Sequence, residues 1–385
     1  MRFIEPDNTT LSFYELTEKY PDEPAAIAYF TAQRWPDGPF CPDCGDTDVY
    51  NDKRKQHLPR YKCRGCQHQF TVTSGTVMDN TKLPLRKWLW AFHMLGGAKK
   101  SIPSRHLARQ LGITLKSAWH LGHRIRSAMT KNDYKLTDIV ETDTTLGGGR
   151  TKHKGRGYRG NRPVIATAVT RSSHSKRGEA RTRPKGQRGS KRYIGQANTT
   201  MLQSEMAEKE DGRTLGPKIK AITDPENTVL MTDDATAYKA IGKHFKEHHA
   251  VNHSREEYVR QEEDGHLAHT NTAEGLFGNL KRQLGGTHHS TSKRHLQRYL
   301  EEYDHKYNNR DLSDVEVTEE AIGNVEGRKV TLFKSEGGGD ALFERKATDP
   351  PKKESRRGWH AKKYGRKGMG KKGVRFDPGI GGGGV

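Results

Sequence analysis

The sequence predicts a multidomain protein that combines α+β and α/β architecture. Three observations support this class. The chain has 385 residues, enough for two or three domains of about 150 residues each. All four cysteines fall within one stretch of 26 residues near the N-terminus. Downstream of a helical region, short apolar strands end in acidic residues, which is typical of a sheet whose strand ends open onto a cleft.

The net charge is the strongest compositional signal. At +21 it favours a polyanionic partner, because each neutralised phosphate releases condensed counterions. Nucleic acid is therefore the first candidate partner. A membrane surface is the rival polyanion, but the chain has no run of about 18 apolar residues and its start lacks a signal-peptide pattern. We expect a cytoplasmic, nucleoid-associated protein without a membrane partner.

Two basic segments carry most of the excess charge. Residues 150–192 contain fifteen Lys or Arg and one acid, Glu179, and residues 350–385 contain eleven against two. The second segment is so rich in Gly and Lys that it cannot bury enough apolar surface to order itself. We therefore predict a largely disordered tail over 313–385. A phosphate-binding role and a merely solubilising role both stay open for it.

The cysteines form two pairs, "CPDCG" (Cys41, Cys44) and "CRGC" (Cys63, Cys66), separated by eighteen residues. This spacing is typical of a four-thiolate zinc site in which two tight turns converge on one ion. Disulfides are the alternative, but they are rare in a chain without secretory features, and a redox pair needs only one such motif. Four protein ligands leave no open coordination position, so the predicted zinc ribbon of residues 36–80 is structural.

A predicted helical segment over 1–35 precedes the ribbon, and a helix-turn-helix over 81–132 follows it. In "LARQLGITLKSAWHLGHRIRSAM", Gly112 turns the chain and Thr114 can cap the second helix. That helix carries basic side chains suited to phosphates or base edges. The candidate DNA contacts on it are Lys116, His120, Arg124 and Arg126. A helical hairpin without DNA affinity is the alternative.

Acidic residues mark two predicted strands. In "DIVETDTTL", Glu141 and Asp143 share one face of a strand. Asp233 follows a short apolar strand, 229–231, at the point where a helix would begin. Carboxylates at strand ends are well placed to hold hard divalent cations. The histidines of "GKHFKEHHAVNH", which include His253, are interpreted as part of a polar linker and not as a second metal site.

The stretch "HTNTAEGLFGNLKRQLGG" predicts an amphipathic helix. Asn271, Glu274, Gly278 and Lys281 fall within an arc of about 80°, and the leucines fill a separate arc. A Glu/Lys pair on a solvated helix face is one explanation. The other is that Glu274 joins Asp143 and Asp233 in holding two magnesium or manganese ions, which stabilise the attacking and leaving oxygens of a phosphodiester displacement.

From about residue 25 to residue 310 the chain resembles bacterial insertion-sequence transposases with an N-terminal zinc ribbon and a DDE-type catalytic domain of RNase H-like fold. The resemblance lies in these motifs: "RWPDGPFCPDCG", "YKCRGCQHQFTVTSGTVM", "LARQLGITLKSAWHLGHRIRSAM", "ETDTTLGG", "TDDATAY", "HTNTAEGLFGNLKR" and "GGTHHSTSKRHLQRYLEEYDHKYNNR". It implies an RNase H-like domain with a mixed sheet over 136–312, interrupted by the basic insertion 150–192.

The resemblance also implies functional residues. These are Asp143, Asp233 and Glu274 as the metal-binding triad, with Lys281 as the associated lysine of a DDE/K pattern. Some relatives have asparagine at the third position, so Asn271 is a further candidate. Arg282, beside Lys281, is a candidate DNA contact. The chain departs from the family at residues 144–146, where an acid and an aromatic are usual, and at residues 277–278, where a tryptophan is common.

Two rivals to a transposase stay open at this stage. One is a zinc-ribbon DNA-binding protein, or a transposase remnant, that binds without cutting. The other is a nuclease of related fold that hydrolyses DNA without joining it. A transposase holds two element ends together and transfers a strand to target DNA. The resemblance therefore implies double-stranded DNA as the partner and a dimer or higher oligomer on it.

Overall fold

A computed structural model describes residues 11–52, 58–130, 134–147, 162–171, 200–262, 267–289, 291–328 and 330. Most of the predicted basic insertion and the predicted tail beyond residue 330 lie outside these described residues. The phosphate-binding and solubilising interpretations of the tail therefore stay predictions, as do the DNA-binding and partly disordered interpretations of the insertion. Among the described helices, none is both long and apolar enough to cross a membrane.

The N-terminal part contains two helices, a small sheet and three further helices. In chain order the elements are α1 (Phe13–Lys19), α2 (Glu23–Arg34), β1 (Val49–Asp52), β2 (Arg60–Cys63), β3 (Gln69–Phe70), α3 (Leu85–Gly97), α4 (Ser104–Leu111) and α5 (Leu115–Ala128). Strands β1, β2 and β3 form an antiparallel sheet in that order. The central strand β2 ends at Cys63, and Cys66 lies in the turn between β2 and β3.

The turn between α4 and α5 lies where the sequence predicts it. Gly112 adopts a left-handed conformation with φ 58°, which closes α4, and its N–H reaches back to the carbonyls of the last turn. The Thr114 hydroxyl then accepts a hydrogen bond from the N–H of Ser117 and caps α5. The two helices thus have the connection of a helix-turn-helix.

The remaining elements form a sheet with helices on both faces. In chain order they are β4 (Leu136–Leu146), β5 (Val164–Thr170), β6 (Leu202–Ala207), α6 (Gly212–Ile222), β7 (Thr223–Asp233), α7 (Thr236–Gly242), β8 (Glu247–Val251), a 3-10 turn (His253–Arg255), β9 (Arg260–Gln261), β10 (Leu267–Ala268), α8 (Asn271–Thr287), α9 (Lys293–Asn308) and α10 (Asp314–Gly323).

The large sheet has five strands in the order β6-β5-β4-β7-β8. Strand β5 is antiparallel to both β4 and β6, whereas β4, β7 and β8 run parallel. This confirms the mixed sheet expected for the catalytic domain. One face packs on α8 and α9 through a core that includes Ile165 and Leu280. The other packs on α6 and α7 through a core that includes Leu215 and Tyr238.

Helix α10 belongs to the N-terminal core, although the sequence placed residues from 313 onward in a disordered tail. Ser313 and Glu316 form a reciprocal capping box that starts the helix. Ala321 and Ile322 pack in the same apolar cluster as α2, α3 and α5. Arg34 on α2 pairs with Glu326 at 2.7 Å. The predicted start of the tail at residue 313 is therefore corrected, since residues 314–328 are ordered and complete the N-terminal core.

Candidate functional site

The four cysteines form one compact cluster. All their Sγ atoms lie within 4.8 Å of one another, and two of the Sγ–Sγ distances are 3.5 Å. Each pair sits in a tight turn: the N–H of Gly45 bonds the carbonyl of Cys41, and the N–H of Gln67 bonds that of Cys63. Both turns need a positive φ, 76° at Gly45 and 63° at Gln67.

This donor set fits zinc. A tetrahedral ion with Zn–S bonds of about 2.3 Å places its sulfurs about 3.8 Å apart, close to the observed spacing. Four soft thiolates are the ligands that zinc prefers, and they complete its coordination. The structural zinc site predicted from Cys41, Cys44, Cys63 and Cys66 is therefore supported by the geometry of the cluster.

The parallel pair β4 and β7 brings two aspartates to one edge of the sheet. Glu141 lies beside Met231 in the register of the two strands, so the next two residues along each strand lead to Asp143 and Asp233. Asp233 is the last residue of β7. The Thr144 N–H donates to Asp143 at 2.6 Å, and the Ala235 N–H donates to Asp233 at 3.3 Å. Two carboxylates 90 residues apart in the sequence thus lie on neighbouring strands at the same edge of the sheet.

The electrostatics of this edge favour a cation. Burial, helped by the charges of Asp233, Glu274 and Glu210, raises the pKa of Asp143 to about 7, although the hydrogen bond from the Thr144 N–H lowers it. Burial also raises the pKa of Asp233, and the charge of Glu210 adds to this effect, whereas His253 opposes it. Carboxylates that repel one another in a partly buried setting form a donor set suited to a hard divalent ion.

Glu274 reaches this edge from the first turn of α8. Its side chain is 50% exposed, and its Oε1 lies 3.8 Å from Nε2 of His253. The hydroxyl of Thr270 lies 3.2 Å from the same Nε2. The charges of Asp233 and Glu274 both raise the pKa of Asp143, so both acids lie within electrostatic reach of it. His253 was interpreted as a linker residue, whereas the structure places it between Asp233 and Glu274.

The carboxylates are more widely spaced than the thiols. Among the described residues, the cysteine cluster is the one group of three or more His, Cys, Asp or Glu ligands whose donor atoms all lie within 4.8 Å. The carboxylates of Asp143, Asp233 and Glu274 therefore do not form such a compact group in the described part of the chain. Two ions about 3.5–4 Å apart spread their ligands over a longer distance than a single ion does.

Two acids near the triad, Glu210 and Glu141, were not among the predicted site residues. Glu210 follows β6, and its Oε1 accepts a hydrogen bond from the Thr144 hydroxyl at 2.5 Å. Glu141 is fully buried, and its Oε1 lies 2.6 Å from Nε of Arg171. Burial alone would raise the pKa of Glu141, but its contacts with His269, Arg171 and Thr272 outweigh burial and lower the pKa. The sequence signal for Glu141 was its shared face with Asp143; Glu210 had none.

The other residues predicted on α8 lie on its exposed side. Asn271 is the first residue of the helix and is exposed. Lys281 is also exposed, and its Nζ lies 5.9 Å from the centre of the Phe277 ring. Arg282 is exposed and donates to Asn279 Oδ1 at 2.5 Å. The packing arc is buried as predicted, including Leu276, Leu280 and Leu284.

The predicted DNA contacts on α5 divide into two groups. Lys116 is exposed in the first turn, and His120 is half-buried with Nε2 3.2 Å from the carbonyl of Val330. Arg124 and Arg126 are only 8% and 1% exposed. Arg124 donates to the Asp79 carbonyl and lies over Trp88, so it is already engaged inside the protein.

Arg126 forms a buried ion pair with Glu302 on α9 at 2.7 Å. It also stacks on Tyr299, with the guanidinium carbon 4.5 Å from the ring centre. The prediction that Arg124 and Arg126 contact DNA is therefore wrong. These guanidinium groups face the protein interior because α5 packs against both α3 and α9.

Comparison with known families agrees with both halves of this architecture. The model of the transposase zinc-ribbon domain matches residues 21–69, and that of the ISXO2-like transposase domain matches residues 135–308. Together the two ranges take in more than half of the chain. The chain belongs to the insertion-sequence transposases.

A relative of this transposase is described as an uncharacterized protein in transposable element ISH50 of Halobacterium salinarum. The two are 28% identical over 110 residues, which is 29% of this chain and 37% of the relative. The transposase thus aligns with little more than a third of that protein. No solved structure matches it significantly. The two family matches confirm the resemblance drawn from the sequence.

Proposed function

We propose that this transposase binds the ends of its own element and catalyses divalent-metal-dependent DNA cleavage followed by strand transfer. The observation that carries the proposal is the meeting of Asp143 and Asp233 at one edge of the sheet, within electrostatic reach of Glu274. When two magnesium or manganese ions are bound there, they supply activation of water or a sugar hydroxyl and stabilise the leaving oxygen.

The residues of the chain have separate tasks in this proposal. Asp143, Asp233 and Glu274 would hold the cations through their carboxylate oxygens, and Asp143, whose pKa is raised to about 7, would bind in its ionised form. Lys281 lies two turns beyond Glu274 on an exposed helix side and contacts a DNA phosphate. Asn271, in the first turn of α8, is a further candidate for orienting the site.

DNA binding outside the active site rests on fewer residues than the sequence suggested. Lys116 in the exposed first turn of α5, the partly exposed His120 and Arg282 on α8 are the proposed contacts. Residues at the start of a second helix are those that enter the major groove in helix-turn-helix proteins. Holding two element ends requires a dimer or higher oligomer on DNA.

The test uses the full chain with duplexes that carry the DNA flanking its gene. Asp143→Asn removes one charged ligand at nearly constant shape. It should lower manganese-dependent nicking roughly a thousandfold, since metal stabilisation of the transition state is worth several kcal/mol, while DNA binding stays within about twofold. Asp138→Asn is the matched control, because Asp138 lies on the same strand and is exposed.

Three outcomes separate the alternatives. Nicking that persists in Asp143→Asn contradicts the metal assignment. Sequence-specific binding without nicking in the unaltered protein would instead show a DNA-binding remnant. A precleaved end that is never joined to target DNA would indicate a nuclease, whereas a joined product supports strand transfer.

A further inference from the structure

Glu141 connects the strand that carries Asp143 to the helix that carries Glu274. Its side chain is fully buried, and it lies two residues before Asp143 on the same face of β4. Oε2 accepts hydrogen bonds from the N–H groups of Thr272 at 2.8 Å and Ala273 at 3.2 Å. Oε1 accepts one from the Thr272 hydroxyl at 2.7 Å.

These donors are the second and third N–H groups of α8, which have no partners within the helix. The residue at the N-cap position, Thr270, makes no side-chain capping bond. Glu141 therefore caps α8 from a neighbouring strand, and its charge also suits the positive end of the helix dipole. The cap fixes the start of α8 relative to β4.

Arg171 completes this connection. Its Nε donates to Glu141 Oε1 at 2.6 Å, and its Nη2 donates to the His269 carbonyl at 2.6 Å. A further bond goes to the Leu267 carbonyl. The backbone N–H of Arg171 bonds the Ile139 carbonyl on β4. The guanidinium thus binds both the buried carboxylate and the segment that leads into α8.

We propose that Glu141, held by Arg171, is the positioning residue that sets the separation of Asp143 and Glu274. Thr272 precedes Glu274 by two residues, and Glu141 precedes Asp143 by two, so the clamped atoms lie next to both acids along the chain. Replacing a side chain that orients metal ligands typically weakens metal binding about 10- to 100-fold. The inference rests on the proposed metal-dependent function.

The chain offers a matched control for a buried ion pair. Glu302 and Arg126 are also paired through Nε, at 2.7 Å, with side chains 0% and 2% exposed. That pair joins α9 to α5 and contacts neither β4 nor α8 in its hydrogen bonds. Glu302→Gln therefore disturbs a comparable buried pair without touching the connection between Asp143 and Glu274.

The experiment measures Mn²⁺ binding to the full, zinc-loaded chain by electron paramagnetic resonance, with folding checked by circular dichroism. Glu141→Gln should weaken Mn²⁺ binding about 10- to 100-fold, while Glu302→Gln stays within about twofold of the unaltered protein. Saturating Mn²⁺ should restore part of the nicking activity in Glu141→Gln, but none in Asp143→Asn. Thr272→Val removes one hydroxyl donor and should weaken binding a fewfold, so the test survives poor folding of Glu141→Gln.

The outcomes distinguish this inference from the proposed function. If Asp143→Asn abolishes Mn²⁺ binding but Glu141→Gln and Thr272→Val bind as Glu302→Gln does, the positioning role alone is overturned. If the unaltered protein shows no Mn²⁺ binding that depends on Asp143, the proposed function fails, and the positioning role fails with it.

Discussion

The two candidate metal centres are built in opposite ways. The thiol cluster comes from 26 consecutive residues, and two short turns hold its donor atoms within 4.8 Å. The carboxylate site draws Asp143, Asp233 and Glu274 from two strands and a helix, and its charges repel one another. The first centre therefore depends on local geometry and the second on the whole sheet. Changes at the first should affect folding, and changes at the second should affect chemistry.

The largest effect is expected from Cys63→Ser. Cys63 is fully buried, and structural zinc sites contribute folding free energy of about 10–16 kcal/mol in isolated zinc-finger peptides. We expect the zinc content to fall from one ion per chain to nearly none, and the ribbon to become sensitive to protease. Asp143→Asn is the control and should keep its zinc. Full zinc content in Cys63→Ser would show that the thiol site is not the metal centre described.

The pH dependence of Mn²⁺ binding should separate the two centres further. A cation binds the ionised form of Asp143, and the pKa of this residue is raised to about 7. Between pH 6 and pH 8 its ionised fraction rises about tenfold, so Mn²⁺ affinity should rise by about the same factor. Isothermal titration at several pH values measures this change. A flat profile would mean that Asp143 is not a ligand.

Without divalent metal, the stability of the folded protein should fall as the pH rises, whereas Mn²⁺ affinity should rise with pH. The pKa of Asp143 in the folded state lies above its ordinary value. The protonated carboxyl therefore contributes fully to the free energy of unfolding at low pH, and this contribution is lost as the pH rises through about 7. Asp143→Asn cannot ionise. It should therefore raise the melting temperature of the zinc-loaded, Mn²⁺-free protein by a few degrees at pH 8 and have little effect near pH 4. A lower melting temperature at pH 8 would contradict the electrostatic account.

The smallest effect is expected from Glu210→Gln. The charge of Glu210 raises the pKa of both Asp143 and Asp233, so its removal should shift the midpoint of Mn²⁺ binding to lower pH. The affinity at pH 8 should change less than in Asp143→Asn. A loss of affinity as large as that of Asp143→Asn would instead make Glu210 a ligand in its own right.

The sequence predicted what depends on spacing along the chain. The thiol cluster, the turn at Gly112 and the buried arc of α8 follow from local periodicity and capping residues. The mixed sheet followed from the family resemblance. That Asp143, Asp233 and Glu274 bind metal together stays a prediction. The register of β4 and β7 supports it, because it places the two aspartates on neighbouring strands.

Contacts between distant segments could not be predicted in this way. Arg126 has the pattern of a surface DNA contact, but its partner Glu302 lies 176 residues away and makes burial of the guanidinium tolerable. Glu210 and Arg171 likewise acquire their roles only when the sheet has formed. The sequence did not predict that α10 is an ordered helix, because its apolar face packs in a core formed by segments near the other end of the chain.

The position of α10 has a consequence for how the protein forms during synthesis. The ribbon and the first helices leave the ribosome early, but Ala321, Ile322 and Val325 of their core are made some two hundred residues later. Arg328 then binds the carbonyls of Ser127 and Thr130 at the end of α5. The helical unit that carries the proposed end-binding residues is thus complete only after the catalytic sheet has been translated. A shortened product that stops before residue 313 would lack this closing helix.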